Sequence, residues 1–453
     1  MAAASAPQAA DEQWGSRVGF VLASAGSAVG LGNIWRFPSV AADNGGGAFV
    51  LLFLFVILLV GAPALMAEMA LGRHTRRNPV DAFASLRPRS RWALAGGLGV
   101  LASFVILSYY SVIAGWVLAY ALMAVRGDLV GQDATALGQT YANLAGHPWR
   151  PVFWHAIFMA MTVAVVAGGV RRGIERWAKI LMPALVALLV VLGVRTLTLD
   201  AAREGAVWFF TPRWDLFTWS SVVRATGQVF FSFSLGMGVM ITYGSYLGRA
   251  EDIPRSAAYV AAADAAIALL AGMIVIATLF AFGLPVQGGP GLLFITLPAL
   301  LGRMPLGAAL TLAFFAMVAM AALTSAVALL EVVAAFAVQR LGMARRRAVV
   351  AAAVLIFGLG VPSALSQGAR PVHLLGRDFL SALDAVTSDL ILPLGGLSTA
   401  VFVGWVWGVE PALRELRAGS PRFRAARVWA ASVRVVIPVT VAGVLAAGLA
   451  GVR

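Results

Sequence analysis

Apolar stretches long enough to cross a lipid bilayer follow one another along the chain, from Val18 to Gly451. A helix needs roughly 20 consecutive apolar residues to cross about 30 Å of hydrocarbon, and about eleven stretches meet that length. Of all residues 60% are hydrophobic and 12% are charged, which excludes a soluble domain. The length of the stretches also excludes a weakly patterned β-barrel. We therefore predict an all-α polytopic membrane protein with a single transmembrane domain over residues 1–453.

The predicted spans share this apolar character and are separated by short polar joins. They cover residues 18–42, 48–71, 92–125, 152–170, 178–196, 219–247, 256–282, 306–338, 348–361, 379–408 and 428–450.

Arginines concentrate in alternate joins, at residues 73–91, 171–179, 345–347 and 414–427. This distribution, more than the net charge of +14, indicates which joins face the cytoplasm. We expect a bacterial inner-membrane protein with a cytoplasmic amino terminus and an external carboxyl terminus, and no nucleic-acid partner. Residues 1–13 lack the pattern of a signal peptide. The absence of cysteine excludes disulfides, thiolate chemistry and cysteine-held metal.

A glycine-rich polar run interrupts the first apolar stretch at residues 25–38, which read AGSAVGLGNIWRFP. Backbone carbonyls freed at membrane depth cannot face lipid, so a helix that unwinds there lines a cavity or holds a ligand. A second interruption, FSFSLGMG at residues 231–238, lies in the sixth stretch. Broken helices at corresponding places of two halves indicate an inverted-repeat transporter. We predict five-helix repeats at about residues 14–197 and 219–408, with an extra helix at about 428–450.

Several segments resemble the neurotransmitter:sodium symporter family, and the likeness covers nearly the whole chain. They are residues 14–17 (WGSR), 26–38 (GSAVGLGNIWRFP), 44–49 (NGGGAF), 173–176 (GIER), Lys179, Pro183, 227–232 (GQVFFS) and 323–325 (LTS). The resemblance implies the LeuT-like fold of five plus five inverted helices, with helices 1 and 6 broken at the midplane. The short chain and the missing twelfth helix are similar to the family's bacterial hydrophobic amino-acid branch.

The resemblance also implies two sodium sites built from oxygen atoms at the breaks. The first would use Ala28, Asn33, Ser232 and Asp264. The second would use Gly26, Val29, Ala321, Thr324 and Ser325. For any single hydroxyl, bonding back to its own helix is the commoner explanation. Together, at two breaks and a facing helix, these groups favour ligation of sodium.

Asp264 lies within an apolar helix, where a carboxylate costs about 2.5 to 3.5 kcal/mol to insert and so needs a partner or a cavity. A protonated acid or a pair with an arginine are the alternatives to a functional role. Family members that depend on chloride place a serine one turn later, where this chain has Ala268. A fixed negative charge beside sodium would replace chloride, so we expect transport that needs no chloride.

The resemblance assigns the substrate site to residues around both breaks. They are Ser27, Ala28, Gly30, Gly32, Ile106, Tyr110, Phe231, Ser232, Ser234, Met237, Ser325 and Leu329. Gly30 stands where amine carriers have aspartate, which implies a substrate that brings its own carboxylate, held by Tyr110. Tyr109 is expected to pack in the core. The lining is mainly apolar, and Met237 can repack around large groups, so we predict a hydrophobic L-amino acid, including leucine and the aromatic ones.

Gates for alternating access are implied at both ends. Arg36 and Asp384, with Gln228 and Phe231, match the outer gate. At the inner gate, beside Trp14, Asp11 or Glu12 could pair with Arg340, although solvated ends are an equal alternative.

Three residues have supporting roles by resemblance. Glu68 would accept hydrogen bonds from freed amides of helix 6, or lie at the membrane interface. Gly173 and Pro183 match a motif that lets helix 5 unwind. The four histidines show no ligand spacing and are expected at surfaces or interfaces.

The predicted function is sodium-coupled import of hydrophobic amino acids. A proton-coupled carrier and a transporter-like solute receptor are the alternatives. No catalytic constellation indicates an enzyme, and nothing indicates an obligate protein partner.

Overall fold

A computed structural model describes residues 13–284, 289–368 and 372–449, and these residues are largely helical. In chain order the helices are α1 (Arg17–Ala28), α2 (Gly32–Asp43), α3 (Gly47–Thr75), α4 (Pro79–Leu86), α5 (Ala93–Arg126), α6 (Ala134–Ala145), α7 (Arg150–Ala167), α8 (Val170–Leu197), α9 (Ala202–Phe210), α10 (Trp219–Ser232), α11 (Val239–Ser245), α12 (Ile253–Ala281), α13 (Leu292–Leu301), α14 (Gly307–Leu341), α15 (Arg345–Leu365), α16 (Phe379–Val406), α17 (Val409–Gly419) and α18 (Ala426–Gly448). Strands β1 (His373–Leu374) and β2 (Arg377–Asp378) form one antiparallel hairpin.

Nine of the described helices are long and apolar enough to cross a membrane, and the pair α1 and α2 adds a tenth span with a bend of 52°. The sixth predicted stretch is divided into α10 and α11, of 14 and 7 residues, and neither is long enough to cross alone. The breaks at residues 29–31 and 233–238 therefore separate the two halves of the first and sixth stretches.

Five shorter helices, α4, α6, α9, α13 and α17, lie outside the predicted spans. They are too short to give a membrane-length apolar signal, and so were not predicted from the sequence. Helix α17 is amphipathic and buries Val409, Ala412, Leu413 and Leu416. It packs on α3, where the buried Arg73 donates from Nε to Glu415 Oε1 at 2.6 Å.

Long helices surround the two breaks. Helices α5 and α14 pack against each other, and α1 lies against α12, α14 and α8. Gly26 allows the close approach of α1 to α14, since a Cβ atom there would lie 3.0 Å from Thr324 Cβ. The break that follows α1 is thereby held inside the helix bundle, away from lipid.

His155 is an exception to the expectation that the histidines lie at surfaces or interfaces. Its side chain is buried between α7 and α15, and its ring stacks on Phe357 with centroids 4.6 Å apart. Nε2 lies 3.2 Å from the Phe357 carbonyl oxygen. Gly360 leaves the space for this ring, because a Cβ atom there would approach Nε2 to 2.5 Å.

Candidate functional site

The two breaks face each other in the centre of the bundle. The hydroxyls of Ser27 and Ser234 lie 3.1 Å apart, and Ser234 also donates to the Ser27 carbonyl at 3.2 Å. Ser234 has φ +52°, and Gly236 and Gly238 have φ +74° and +73°. These left-handed conformations end the helix, and glycine adopts them without steric cost. The backbone groups that α10 and α11 leave unpaired are therefore available to other partners.

Glu68 of α3 satisfies one of these groups. Its Oε1 accepts a hydrogen bond from the Gly236 amide at 2.9 Å, and the side chain is buried. Glycines of α16 contact the same turn, since a Cβ atom on Gly395 would lie 2.5 Å from the Gly236 carbonyl oxygen. Glu68 therefore lies beside the second break and not at the membrane interface.

A small cavity of about 20 Å³ lies between the breaks, room for about one water molecule. Its lining contains all twelve residues that the sequence analysis assigned to the substrate, together with Asn33. They are Ser27, Ala28, Gly30, Gly32, Asn33, Ile106, Tyr110, Phe231, Ser232, Ser234, Met237, Ser325 and Leu329.

A larger cavity of about 420 Å³, the vestibule, adjoins this one. Its lining includes Arg36, Tyr109 and Asp384, and it shares Gly32, Tyr110 and Phe231 with the small cavity. Tyr141 of α6 also lines it, and burial raises the pKa of this phenol. The rings of Tyr110 and Phe231 therefore stand between the small cavity and the vestibule.

Hydrogen-bond donors converge beside Gly30. The Leu31 amide donates to Tyr110 Oη at 3.4 Å. A Cβ atom on Gly30 would lie 3.1 Å from Ser325 Oγ and 3.3 Å from Tyr110 Oη. Glycine at this position leaves the space between the two hydroxyls free, and hydroxyl and amide donors suit an anionic group.

Four oxygen-bearing groups form the first oxygen cluster, beside the first break. Asp264 Oδ1 accepts from Asn33 Nδ2 at 2.7 Å and from Ser232 Oγ at 2.6 Å. Ser232 Oγ also lies 3.0 Å from Asn33 Oδ1 and 3.5 Å from the Ala28 carbonyl oxygen. Asp264 is buried, and its Oδ2 has no hydrogen-bond partner among the described residues. Among those residues no arginine forms an ion pair with Asp264. The structure therefore places this acid among neutral oxygen atoms.

The second oxygen cluster lies where α1 meets α14. Ser325 Oγ lies 3.3 Å from each of the carbonyl oxygens of Gly26, Ser27 and Ala321. Thr324 Oγ1 bonds back to its own helix, at 3.0 Å from the Ala321 carbonyl oxygen. Val29 follows α1 with an extended backbone, at φ −80° and ψ 92°. The cluster is thus made of neutral carbonyls and hydroxyls.

Arg36 and Asp384, the predicted outer ion pair, both line the vestibule but form no ion pair in the described part of the chain. The Arg36 guanidinium lies 5.5 Å from the centroid of the Phe231 ring. Asp384 instead accepts from Tyr109 Oη at 3.1 Å. Tyr109 thus has a polar partner, beyond the core packing expected of it. Gln228 is buried one turn before Phe231 on α10.

Trp14 lies at the opposite end of α1 from the first break. Its Nε1 donates to the Tyr243 carbonyl of α11 at 3.0 Å. The start of α1 is also attached to α8, because Glu175 accepts from the Gly15 amide at 2.6 Å and from Ser16 Oγ at 2.8 Å.

Gly173 and Pro183 both belong to α8. Gly173 packs against α7, where a Cβ atom would lie 2.1 Å from the Val165 carbonyl oxygen. Pro183 lies inside the helix, where it cannot donate a backbone hydrogen bond.

The inner ion pair was predicted between Arg340 and either Asp11 or Glu12. Both acids lie outside the residues that the structure describes. Arg340 itself forms an ion pair with Asp81 of α4. Its neighbour Gln339 accepts from the Asn78 amide at 2.6 Å. The end of α14 is therefore attached to α4, by contacts that sequence reasoning missed.

The chain matches the model of the sodium:neurotransmitter symporter family over residues 11–143 and 148–453. It is 39% identical over 431 residues to an uncharacterized sodium-dependent transporter, YhdH, of Bacillus subtilis, covering 95% of this chain and 96% of that one. It is 28% identical over 369 residues to the sodium- and chloride-dependent GABA transporter ine of Drosophila melanogaster, covering 71% of this chain and 39% of the fly protein.

Among solved structures, the fold resembles the crystal structure of MhsT in complex with L-phenylalanine. The TM-score is 0.89 at 41% sequence identity, and the match covers 96% of this chain and 99% of MhsT. The predicted fold class, an all-α membrane protein with two broken helices in a five-plus-five repeat, is confirmed. These relatives are transporters, as the sequence analysis expected, and not enzymes.

Proposed function

Since the chain belongs to the sodium:neurotransmitter symporter family and is a sodium-dependent transporter, we propose that it imports hydrophobic L-amino acids together with sodium. The observation that carries this proposal is the convergence of both breaks on one cavity with a polar end and an apolar end. The polar end, at Tyr110 and the Leu31 amide, suits the substrate carboxylate. The apolar end suits its side chain.

The apolar end is formed by Ile106, Phe231, Met237 and Leu329. No charged residue of the described part of the chain lines the cavity, so a charged substrate side chain would find no partner there and its desolvation would cost free energy. Met237 lies between two glycines and its flexible side chain can repack around groups of different size. A range that includes leucine and the aromatic amino acids is consistent with this lining.

We assign one sodium ion to each oxygen cluster. The first, with Ala28, Asn33, Ser232 and Asp264, combines a carboxylate with neutral oxygens. The second, with Gly26, Val29, Ala321, Thr324 and Ser325, is neutral. Hard cations prefer oxygen ligands of these kinds. The buried carboxylate of Asp264 would provide the negative charge beside sodium, so no chloride is required.

Alternating access would use the two ends of the site. Phe231, with Arg36, Asp384 and Gln228, would close the vestibule side. Trp14, held on Tyr243, would close the other. In the membrane we place the amino terminus in the cytoplasm and the carboxyl terminus outside, because the arginine-rich joins then face inward.

Purified protein in liposomes tests the proposal. With sodium outside and an inward-negative potential, radiolabelled leucine or tryptophan should accumulate against its gradient, since each inward charge releases about 2.3 kcal/mol per 100 mV. Potassium in place of sodium should abolish accumulation. Accumulation driven by a proton gradient alone would favour a proton-coupled carrier instead. Sodium-dependent binding without accumulation would favour a solute receptor.

Replacing chloride by gluconate on both sides of the membrane should leave this uptake unchanged within about twofold, because Asp264 provides the negative charge. Initial rates of leucine uptake at equal sodium measure the effect. Collapse of uptake in gluconate would contradict the assignment of Asp264 and place this chain with the chloride-dependent relatives.

Tyr109→Phe should lower the initial rate of uptake about tenfold, because removing one hydrogen bond to a charged acceptor costs about 1.5 to 3 kcal/mol. The matched control is Tyr120→Phe on the same helix, whose buried hydroxyl has no partner among the described residues. A rate equal to that of the control would show that the bond between Tyr109 and Asp384 has no part in the gate.

A further inference from the structure

Helix α5 contacts the unwound segment of the second break at two positions one turn apart. Ser103 Oγ donates to the Met237 carbonyl at 2.8 Å, and both residues are buried. At Gly99 a Cβ atom would lie 3.0 Å from the Gly238 amide nitrogen and 3.2 Å from the Met237 carbonyl carbon. Gly99 leaves space for the backbone of the second break to pack against α5, and Ser103 forms a hydrogen bond to that backbone.

This bond differs from the other contacts of the break. Glu68 and Gly395 hold the turn at Gly236, one residue earlier. Among the described residues, Ser103 supplies the hydrogen bond that the Met237 carbonyl receives. Regular helix resumes only at Val239, so no turn of α11 binds this carbonyl. The backbone position of Met237 therefore depends on a side chain of another helix.

We propose that Ser103 is a positioning residue that sets the width of the side-chain end of the cavity, and hence the preferred substrate size. This inference rests on the function proposed above. Met237 provides a wall of the cavity, and the residue is only 3% exposed. With its carbonyl bound to α5, the wall is fixed close to Ile106, which stands one turn after Ser103 on that helix.

Removal of the hydroxyl would leave the carbonyl without a partner in a buried place. Movement of the segment away from α5 toward another hydrogen-bond donor would then lower its free energy. Gly236 and Gly238, which flank Met237 with φ values near +74°, give the backbone the freedom to move in this way. Such a movement widens the cavity at Met237. A wider cavity favours bulky side chains and loosens the fit around small ones.

The test is Ser103→Ala in the full-length transporter in liposomes, with kcat and KM for sodium-driven uptake of tryptophan and valine. We expect the ratio of kcat/KM for tryptophan to that for valine to rise at least about threefold, mainly through KM. The half-saturating sodium concentration should stay within about twofold of wild type, because Ser103 touches neither oxygen cluster.

Ser111→Ala is the matched control. Ser111 is a buried serine on the same helix, and among the described residues its hydroxyl bonds only within that helix, to the carbonyls of Leu107 at 2.6 Å and Ser108 at 3.3 Å. It should leave the ratio unchanged. Ser103→Cys keeps the size of the side chain, but its thiol is a weak hydrogen-bond donor, so it should give a tryptophan-to-valine ratio between those of wild type and Ser103→Ala. This variant also provides a test if the alanine variant does not fold.

The outcomes separate the inference from the proposed function. A rise of less than about threefold in Ser103→Ala, or no rise in Ser103→Cys where the alanine variant does not fold, would overturn the positioning role alone when uptake is otherwise normal. An equal change in the Ser111 variant would also overturn it, since any buried serine of α5 would then have the same effect. Wild-type protein that takes up neither amino acid with sodium would overturn both.

Discussion

Replacing Asp264 by asparagine is expected to cut sodium-driven leucine uptake in chloride-free buffer at least about tenfold. The substitution keeps the size of the side chain and one oxygen acceptor, but it removes the only charge of the first oxygen cluster. Two unit charges 4 Å apart interact by about 4 kcal/mol at an effective dielectric constant of about 20, so sodium should bind much more weakly.

The half-saturating sodium concentration and the initial rate measure this effect, with and without chloride. A second variant, Asp264→Asn with Ala268→Ser, supplies a hydroxyl one turn later and should regain uptake only when chloride is present. The two proteins are compared in gluconate buffer. Equal sodium affinity of Asp264→Asn and wild type would refute the view that the Asp264 carboxylate provides the negative charge that binds sodium.

Gly30→Asp is expected to abolish amino-acid uptake, with a loss of at least about a hundredfold. The new Cβ atom would lie 3.1 Å from Ser325 Oγ and 3.3 Å from Tyr110 Oη, where we place the substrate carboxylate. A second carboxylate in that space repels the first and takes its hydrogen-bond donors. Binding of labelled leucine to purified protein, measured at saturating sodium, separates lost binding from lost transport.

Two glycine substitutions serve as controls for this experiment. Gly30→Ala should weaken leucine binding by a smaller factor, because a methyl group crowds the hydroxyls without adding charge. Gly227→Ala on α10 should have no effect, since a Cβ atom there meets nothing within 4 Å. Leucine binding by Gly30→Asp at the affinity of wild type would show that the carboxylate lies elsewhere.

The position of the site could be predicted because glycines and polar residues interrupt otherwise apolar stretches. A membrane helix has little reason to place Ser232, Ser234 and Gly236 together unless its backbone unwinds there. The resemblance to a family then named twelve residues at the breaks and on the helices opposite them, and the structure brings all twelve to one cavity. Local sequence and family pattern together were sufficient for this part.

Pairings between distant helices could not be predicted in the same way. Ser103 and Met237 are 134 residues apart, and Tyr109 and Asp384 are 275 apart. A serine or a tyrosine in an apolar helix has many explanations, and which carbonyl or carboxylate it meets depends on how the helices cross. Arg340 illustrates the same limit, because its partner Asp81 belongs to a short helix that gave no membrane-length signal.

The residues from Gly26 to Gly32 contact three sets of partners at once. Gly26 and Ser27 lie against Ser325, Ala28 lies near Ser232, and the Leu31 amide meets Tyr110. On the function proposed above, ions and solute bound along this short piece of backbone would share the entropic cost of ordering it. Because thermodynamic linkage is reciprocal, sodium would then raise the affinity for the proposed amino acid by the same factor by which the amino acid raises that for sodium.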